Sequence, residues 1–233
     1  MLEVQGVNSA YGRAHILFDL SLSAKRGEVV VLLGRNGAGK STTLKTLIGL
    51  VRPLSGAISF NGRRIERLEA YQIARLGLGY VPEERRIFTD LSVMENLEVG
   101  RQAPRAGAPE WTPEKLFRLF PNLAGMRARS GAHISGGEQQ MLTIARTLMG
   151  NPCAILLDEP SEGLAPVIVE QMAQTILELK QEGMCVLLSE QNLHFANLVA
   201  DRAYIIEKGH IRYQGTMAEL AANAQIRTAY LSV

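Results

Sequence analysis

The sequence predicts an α/β fold in a single domain of 233 residues. It has a core with a mainly parallel sheet, an N-terminal antiparallel β layer, and an α-helical subdomain inserted at roughly residues 86–150. Three observations predict this. Residues 28–33 (EVVVLL) are a short, continuous, Val-rich run, as a strand buried on both faces should be. Residues 2–7 and 16–22 alternate instead, with Ile16, Phe18, Leu20 and Leu22 on one face, as half-buried antiparallel strands do. Further along, capping-box and proline signals open and close a run of helices between apolar strands.

Taken in order, the first two strands flank Tyr11, which lies next to Gly12 in a loop. Such an aromatic either rests on the core as part of the turn or offers a ring on which adenine can stack. The third strand runs into Gly34-Arg35-Asn36-Gly37-Ala38-Gly39-Lys40-Ser41-Thr42, which spells G-x-x-x-x-G-K-[ST], the phosphate-cradling P-loop. In this pattern the glycines let backbone N–H groups turn inward on phosphates, Lys40 reaches the β and γ phosphates, and the Ser41 hydroxyl can ligate Mg²⁺. Residues 42–50 read as a helix with Leu44, Leu47 and Ile48 at helical spacing. Strand, Gly-rich loop and helix start thus come in the order that anion binding requires. The stretch implies a nucleoside triphosphate and the core of a P-loop NTPase. Gly34, Asn36, Gly37, Ala38, Gly39, Lys40, Ser41 and Thr42 are its candidate binding residues.

Residues 56–60 and the turn Asn61-Gly62 return the chain to the β layer, and Gly79-Tyr80-Val81-Pro82 is a further short strand that Pro82 ends. Glu83, Glu84, Arg85 and Arg86 form a charge cluster on a loop leaving the core. Ser92-Val93-Met94-Glu95 is a capping box, Thr112-Pro113 opens a helix that Pro121 terminates, and residues 101–109 read as a surface loop. Ser135-Gly136-Gly137-Glu138-Gln139-Gln140 opens a helix with Met141, Leu142, Ala145, Leu148 and Met149 on one face; Gly150 and Pro152 stop it. Ser135 with Glu138 is by itself another capping box. Two glycines in a first turn each cost about 1 kcal/mol of helix propensity, which points to a close approach to that backbone. A helix start with a serine hydroxyl and glycine amides is a second phosphate site, separate from the P-loop.

Residues 153–159 (CAILLDE) are an apolar strand ending in two carboxylates. Asp158 suits Mg²⁺ ligation opposite Ser41, and Glu159 is placed to polarise a water for attack on the γ phosphate. Residues 186–188 form another core strand, ending at Ser189-Glu190-Gln191-Asn192. Residues 203–206 and 210–214, joined at Lys208-Gly209, predict a hairpin before a C-terminal helix.

Composition narrows the partners. A net charge of +2, from 25 basic and 23 acidic residues, gives no general electrostatic case for nucleic acid or an anionic membrane surface. Cys153 and Cys185 sit at the edges of apolar runs and read as small core residues, which suits a reducing cytosol. No apolar run approaches the ~18 residues of a membrane span, and the N-terminus lacks a signal-peptide pattern, so the chain is expected to be soluble on its own.

With these motifs in this order, the chain resembles the nucleotide-binding subunits of ATP-binding cassette transporters over nearly its full length. ISGGEQQ matches the family's signature, with Ile134 for the usual leucine and Glu138 inserted in the usual LSGGQ spelling. The resemblance implies hydrolysis of ATP with Mg²⁺ and head-to-tail pairing with a second ATPase subunit, identical or not. Ser135, Gly136, Gly137 and Glu138 would then face ATP held by the partner's P-loop. It implies Tyr11 as the adenine-stacking aromatic. It puts Glu83 where a glutamine usually reaches Mg²⁺ and the lytic water, and Gln191 where a histidine usually contacts the γ phosphate. Ala165 replaces the usual aspartate in the stretch Glu162-Gly163-Leu164-Ala165-Pro166. The candidate catalytic residues are therefore Glu159, Gln191 and Glu83, and the candidate metal ligands Ser41, Asp158 and Glu83.

The combination VPEERR, ISGGEQQML, DEPSEGLAP and LLSEQN is similar to the second ATPase subunits of bacterial branched-chain amino acid importers, with urea-import ATPases the nearest alternative. That similarity implies integral membrane permease subunits as partners and, through them, a periplasmic solute-binding protein. It implies a place on the cytoplasmic face of the inner membrane and a permease-docking groove near residues 83–88. Soluble cassette proteins acting on DNA or translation usually fuse two cassettes or insert long coiled coil, whereas this chain shows one cassette and no heptads. A non-hydrolysing ATP-dependent clamp would require Glu159 to be inert.

Overall fold

In the computed structural model, which describes residues 1–231, elements sort by the period of their apolar residues. β1 (Leu2–Tyr11) and β2 (Ala14–Ala24) form a hairpin, β3 (Val29–Leu33) leads into α1 (Lys40–Leu47), and β4 (Ser55–Phe60) turns through Asn61-Gly62 into β5 (Arg63–Arg64). After α2 (Ala70–Arg75) and β6 (Leu78–Val81) come the helices α3 (Val93–Gly100), α4 (Pro113–Leu119), α5 (Pro121–Ala124) and α6 (Gly136–Leu148). The chain continues through β7 (Ala154–Asp158), α7 (Pro166–Gln181), β8 (Cys185–Glu190) and α8 (Leu193–Val199). A second hairpin, β9 (Arg202–Glu207) and β10 (His210–Thr216), precedes the short helices α9 (Met217–Ala222) and α10 (Ala224–Ile226).

One sheet is antiparallel, in the order β2-β1-β4-β5, and the other has the order β10-β9-β3-β8-β7-β6. All its pairings are parallel except that of β9 with β10. Every residue of β3, β7 and β8 is buried, which is why these strands read as unbroken apolar runs. Their side chains alternate between two cores. Val29, Val31 and Leu33 join the core built with α3 to α8, whereas Val30 and Leu32 join the core shared with α1 and the antiparallel sheet. Register then sets the strand ends level: Leu32 lies opposite Ser189, Ser189 opposite Asp158, and Leu33 opposite Glu190. The P-loop, the acidic pair and the loop bearing Gln191 therefore leave the sheet along one edge.

Two expectations are corrected. Ile16, Phe18, Leu20 and Leu22 do not share a face, because β2 carries an extra residue between Leu17 and Leu20 relative to β1. Asp19 takes a left-handed φ of +47°, with its N–H donated to Asn8 Oδ1 at 3.1 Å. The bulge buries both Leu17 and Leu20 and leaves Ile16 and Phe18 part-exposed, with Ile16 facing the P-loop. Tyr11 is not in a loop: it is the last residue of β1, paired with Ala14, and Gly12-Arg13 makes the turn. The structure also adds α2, α7 and α8, for which the sequence reading gave no helix. Cys153 and Cys185 are buried and unpaired, as expected. Among the described residues no helix is long and apolar enough to cross a membrane.

The Lys208-Gly209 turn joins the two sheets to the P-loop. Gly209 accepts from Phe18 N at 3.0 Å and donates to Ala38 O at 2.8 Å. A Cβ on Gly209 would lie 1.9 Å from Ile16 O, at a φ of +79°. Gly209→Ala is therefore expected to destabilise the chain by at least about 1–2 kcal/mol, the cost of a left-handed non-glycine residue alone. Urea unfolding should show a lower midpoint at unchanged slope. A wild-type midpoint would mean that this junction bears no strain.

Candidate active site

The P-loop is built by glycines with different tasks. A Cβ at Gly34 would lie 2.5 Å from Ile206 O, so this glycine lets the loop pack against β9. Gly37 and Gly39 take φ of +76° and +112°, and a Cβ on Gly37 would meet nothing within 4 Å. Gly39 is the N-cap of α1, makes no side-chain cap, and is followed by no acidic residue in the first turn. The first amides of α1 thus lack a side-chain acceptor, and the helix start offers them to an anion.

Asn36, Gly37, Gly39, Lys40, Ser41 and Thr42 line one side of a cleft of about 430 Å³, and Ile16, Glu83, Glu159 and Glu162 complete it. Lys40 is buried and donates to the carbonyls of Gly34 (2.8 Å) and Arg35 (3.1 Å) while pairing with Glu159 Oε1 at 3.0 Å. Gly34 and Ala38 stand behind the cleft, Ala38 holding the Gly209 turn.

The acidic pair ends β7 with two distinct environments. Asp158 accepts from Ser41 Oγ at 3.0 Å and from Ser189 Oγ at 2.6 Å on Oδ1, and from the Tyr80 hydroxyl at 3.2 Å on Oδ2. Burial and the Asp158 carboxylate push the Tyr80 phenol above its ordinary pKa, so it stays a donor. Glu159 leaves the strand with a left-handed φ of +46°, a conformation that non-glycine residues keep where surrounding structure enforces it. Its N–H donates to Ser189 O at 3.2 Å and to Ser189 Oγ at 3.1 Å. Burial acts to raise the Glu159 pKa, but hydrogen bonds with Glu162, Lys40 and Gln191 outweigh it and hold the group below its usual value. The counterpart is Glu162, pushed up to about 7 by its hydrogen bond with Glu159 and then by burial.

Gln191 donates from Nε2 to Glu159 Oε2 at 3.2 Å, so the amide reaches the candidate base. Glu83, at the mouth of the cleft, has its pKa raised by burial and then by the Glu159 and Asp158 carboxylates. Tyr11 is half exposed at the far end of the β1–β2 hairpin and does not line the cleft, although Ile16 of the same hairpin does.

Ser135 to Glu138 also lie outside this cleft. Ser135 Oγ accepts from Glu138 N at 3.3 Å and Glu138 Oε2 accepts from Ser135 N at 2.6 Å, a reciprocal cap. α6 runs without a break from Gly136, and Glu138 stands at its third helical position. Its carboxylate closes the cap. Within the chain, a Cβ on Gly137 would come within 3.1 Å of Ile168, whereas one on Gly136 would meet only the flexible end of the Arg85 side chain. The sequence reading missed Ile16, Tyr80, Glu162 and Ser189 as site residues. Only Ser189, one residue before Glu190 at the end of an apolar strand, carried a positional signal.

An ABC transporter family model matches residues 17–162. The high-affinity branched-chain amino acid transport ATP-binding protein BraG of Pseudomonas aeruginosa is 43% identical over 231 residues, 99% of each chain. The lipopolysaccharide export system ATP-binding protein LptB of Haemophilus influenzae is 36% identical over 233 residues, covering 99% of this chain and 97% of that one. A solved ATP-binding subunit of an ABC transporter superposes with a TM-score of 0.83 at 32% identity, over 99% of this chain and 96% of its own.

Glu162 provides a test of the cleft's electrostatics. A carboxyl that titrates near 7 when folded and near 4.5 when unfolded keeps a proton in the folded chain that the unfolded chain has lost. Its contribution to stability therefore falls as pH rises from about 4.5 to 7 and stays low above that. Relative to the uncharged Glu162→Gln variant, the wild type is expected to lose melting temperature between pH 5 and pH 8. A difference that does not change with pH would show that Glu162 and Glu159 share no proton.

Proposed function

The chain belongs to the ABC transporter family, and we propose that it is the ATPase subunit of a bacterial importer for branched-chain or related amino acids. ATP binding and hydrolysis follow from the family. The observation that carries the site assignment is that Lys40, Ser41 and Glu159 line one cleft, with Ser41 bonded to Asp158 and Glu159 bonded to Lys40 and Gln191.

In this reading the γ phosphate takes over Lys40 from Glu159, and the freed carboxylate accepts the proton of the attacking water. Gln191 acts by position, since an amide donates a hydrogen bond but takes up no proton near neutrality. Ser41 and Asp158, joined through oxygens 3.0 Å apart, fit Mg²⁺, which uses one or two protein oxygens and leaves its other positions to phosphates and waters. Glu83 would be a further oxygen ligand at the cleft. The ion would supply charge neutralisation at the β and γ phosphates. Tyr11 would stack on adenine.

Ser135, Gly136 and Gly137 sit apart from the chain's own P-loop, which supports their serving ATP bound to a second ATPase subunit, identical or not. A permease surface is supported by a groove of about 600 Å³ whose lining includes Leu50, Tyr71, Phe88 and Val99. These four are all large apolar side chains with 47–60% exposure. A permease segment seated there would hold the chain on the cytoplasmic face of the membrane and couple it, through the permease, to a periplasmic binding protein. Amino-acid import is supported by the similarity to BraG; the similarity to LptB favours lipopolysaccharide export as a second reading.

Two outcomes are expected. Glu159→Gln should bind ATP like the wild type while turnover falls by on the order of 10²–10⁴, the range for loss of a general base. Substantial residual hydrolysis would move the base elsewhere. The chain should co-purify with its permeases from native membranes, lose them in Phe88→Glu, and drive ATP-dependent leucine uptake once the complex is reconstituted. Intact ATPase activity without amino-acid uptake would overturn import.

A further inference from the structure

We propose that Glu190 is a positioning residue for hydrolysis, whose buried carboxylate clamps the loop after Glu159 to the loop bearing Gln191. The proposal rests on the reading of Glu159 as the base. Glu190 ends β8 at 1% exposure, and among the described residues no cation pairs with it. Its two oxygens instead accept backbone N–H groups from different loops. Oε1 takes Ser161 N at 3.1 Å, and Oε2 takes Asn192 N at 3.3 Å.

These two bonds bracket the catalytic contact. Ser161 lies two residues after Glu159, and Asn192 directly follows Gln191. The Glu190 side chain, folding back to the N–H two residues on, fixes the backbone around Gln191. Asn192 is in turn held as the N-cap of α8, accepting Phe195 N at 3.1 Å. Two cross-links therefore join the same pair of loops side by side: Glu190 to Ser161 N, and Gln191 to Glu159 at 3.2 Å. The Glu190 backbone carbonyl also accepts Gly34 N at 3.3 Å, which ties the clamp to the start of the P-loop.

Burial pushes the Glu190 carboxyl above its ordinary pKa, and the hydrogen bonds from Ser161 and Asn192 act against that shift. The chemistry of its partners explains this. Both are donors, and only a carboxylate offers an acceptor oxygen to each; a glutamine of the same shape must turn its NH₂ on one of them. Glu190→Gln is thus a nearly isosteric break of one arm.

The test measures ATP turnover in whichever assembly the wild-type chain is active. Glu190→Gln should lower kcat on the order of tenfold to a hundredfold, as small misplacements of catalytic groups do, with KM for ATP within about threefold. In a Gln191→Ala background the same substitution should cost at most about threefold, because the pair it positions is already gone. Equal losses in both backgrounds, or unchanged kcat, would overturn the proposal. Hydrogen exchange on the wild-type chain gives a check that needs no variant. The Ser161 and Asn192 amides should be protected, and rapid exchange at both would overturn it equally. If Glu159→Gln stays active, the base assignment fails; if Glu159→Gln is inactive while Glu190→Gln is normal, only the clamp fails.

Discussion

The level register of three parallel strands is the constraint on which the site depends. β8 lies between β3 and β7, so the P-loop strand and the acidic strand stand roughly 10 Å apart. Side chains must bridge that distance. Ser189, opposite Asp158 in register, donates to its Oδ1, and Ser41 reaches the same oxygen from the start of α1. A slip of one residue in β8 would turn Ser189 to the other face of the sheet and aim Leu188 at the carboxylate. Such a slip would exchange Val186 and Leu188 of one core with Cys185 and Leu187 of the other, and the close packing of both cores resists it.

The same economy joins the exposed groove to the signature helix. Arg146 of α6 stacks over Phe88 at 4.9 Å and donates to Arg86 O at 2.6 Å, while Thr143 donates to Arg85 O at 2.6 Å. The loop that carries Glu83 at one end and Phe88 at the other is thereby fastened to α6, whose first turn is the Ser135 cap. Arg85 and Arg86 both hold left-handed φ, +64° and +48°, so the loop keeps this path through its contacts with α6 against its own backbone preference. Phe88 is thereby joined along this loop to Glu83 and through Arg146 to the helix that Ser135 caps.

Much of this was legible in the sequence because local chemistry fixes local structure. The P-loop, the cap at Ser135 and the acidic strand end each need particular residues at fixed spacing, and each was found where those residues stand. What alternation could not show was a backbone irregularity: the bulge at Asp19 depends on an Asn8 side chain from the neighbouring strand. Tyr80 became a site residue only through the pairing of β6 with β7, and Glu162 only through a turn that folds it back on Glu159. The glycines at 136 and 137 were read as room for a phosphate; within the chain Gly137 also lies against Ile168, packing that no linear pattern reveals. α7 was legible in principle, with Pro166 at its first position and Met172, Ile176 and Leu179 at helical spacing.

The electrostatics of the cleft favour a ligand that arrives with a cation, as the proposed function requires. Glu83, Glu159 and Glu162 line it, Asp158 lies behind Ser41, and Lys40 is the cation set among them. A bare triphosphate entering this space would meet like charge, and Glu83, pushed up in pKa by burial and then by the Glu159 and Asp158 carboxylates, shows that repulsion already inside the chain. Against it stand the amides at the start of α1 and the ammonium of Lys40, which suit the phosphates. The carboxylates suit a hard divalent ion and a water to be deprotonated. In the proposed reading the two halves of the site serve the two halves of a magnesium–nucleotide complex. Lys40, paired with Glu159 at 3.0 Å, and Ser41, bonded to Asp158 at 3.0 Å, tie the two halves together.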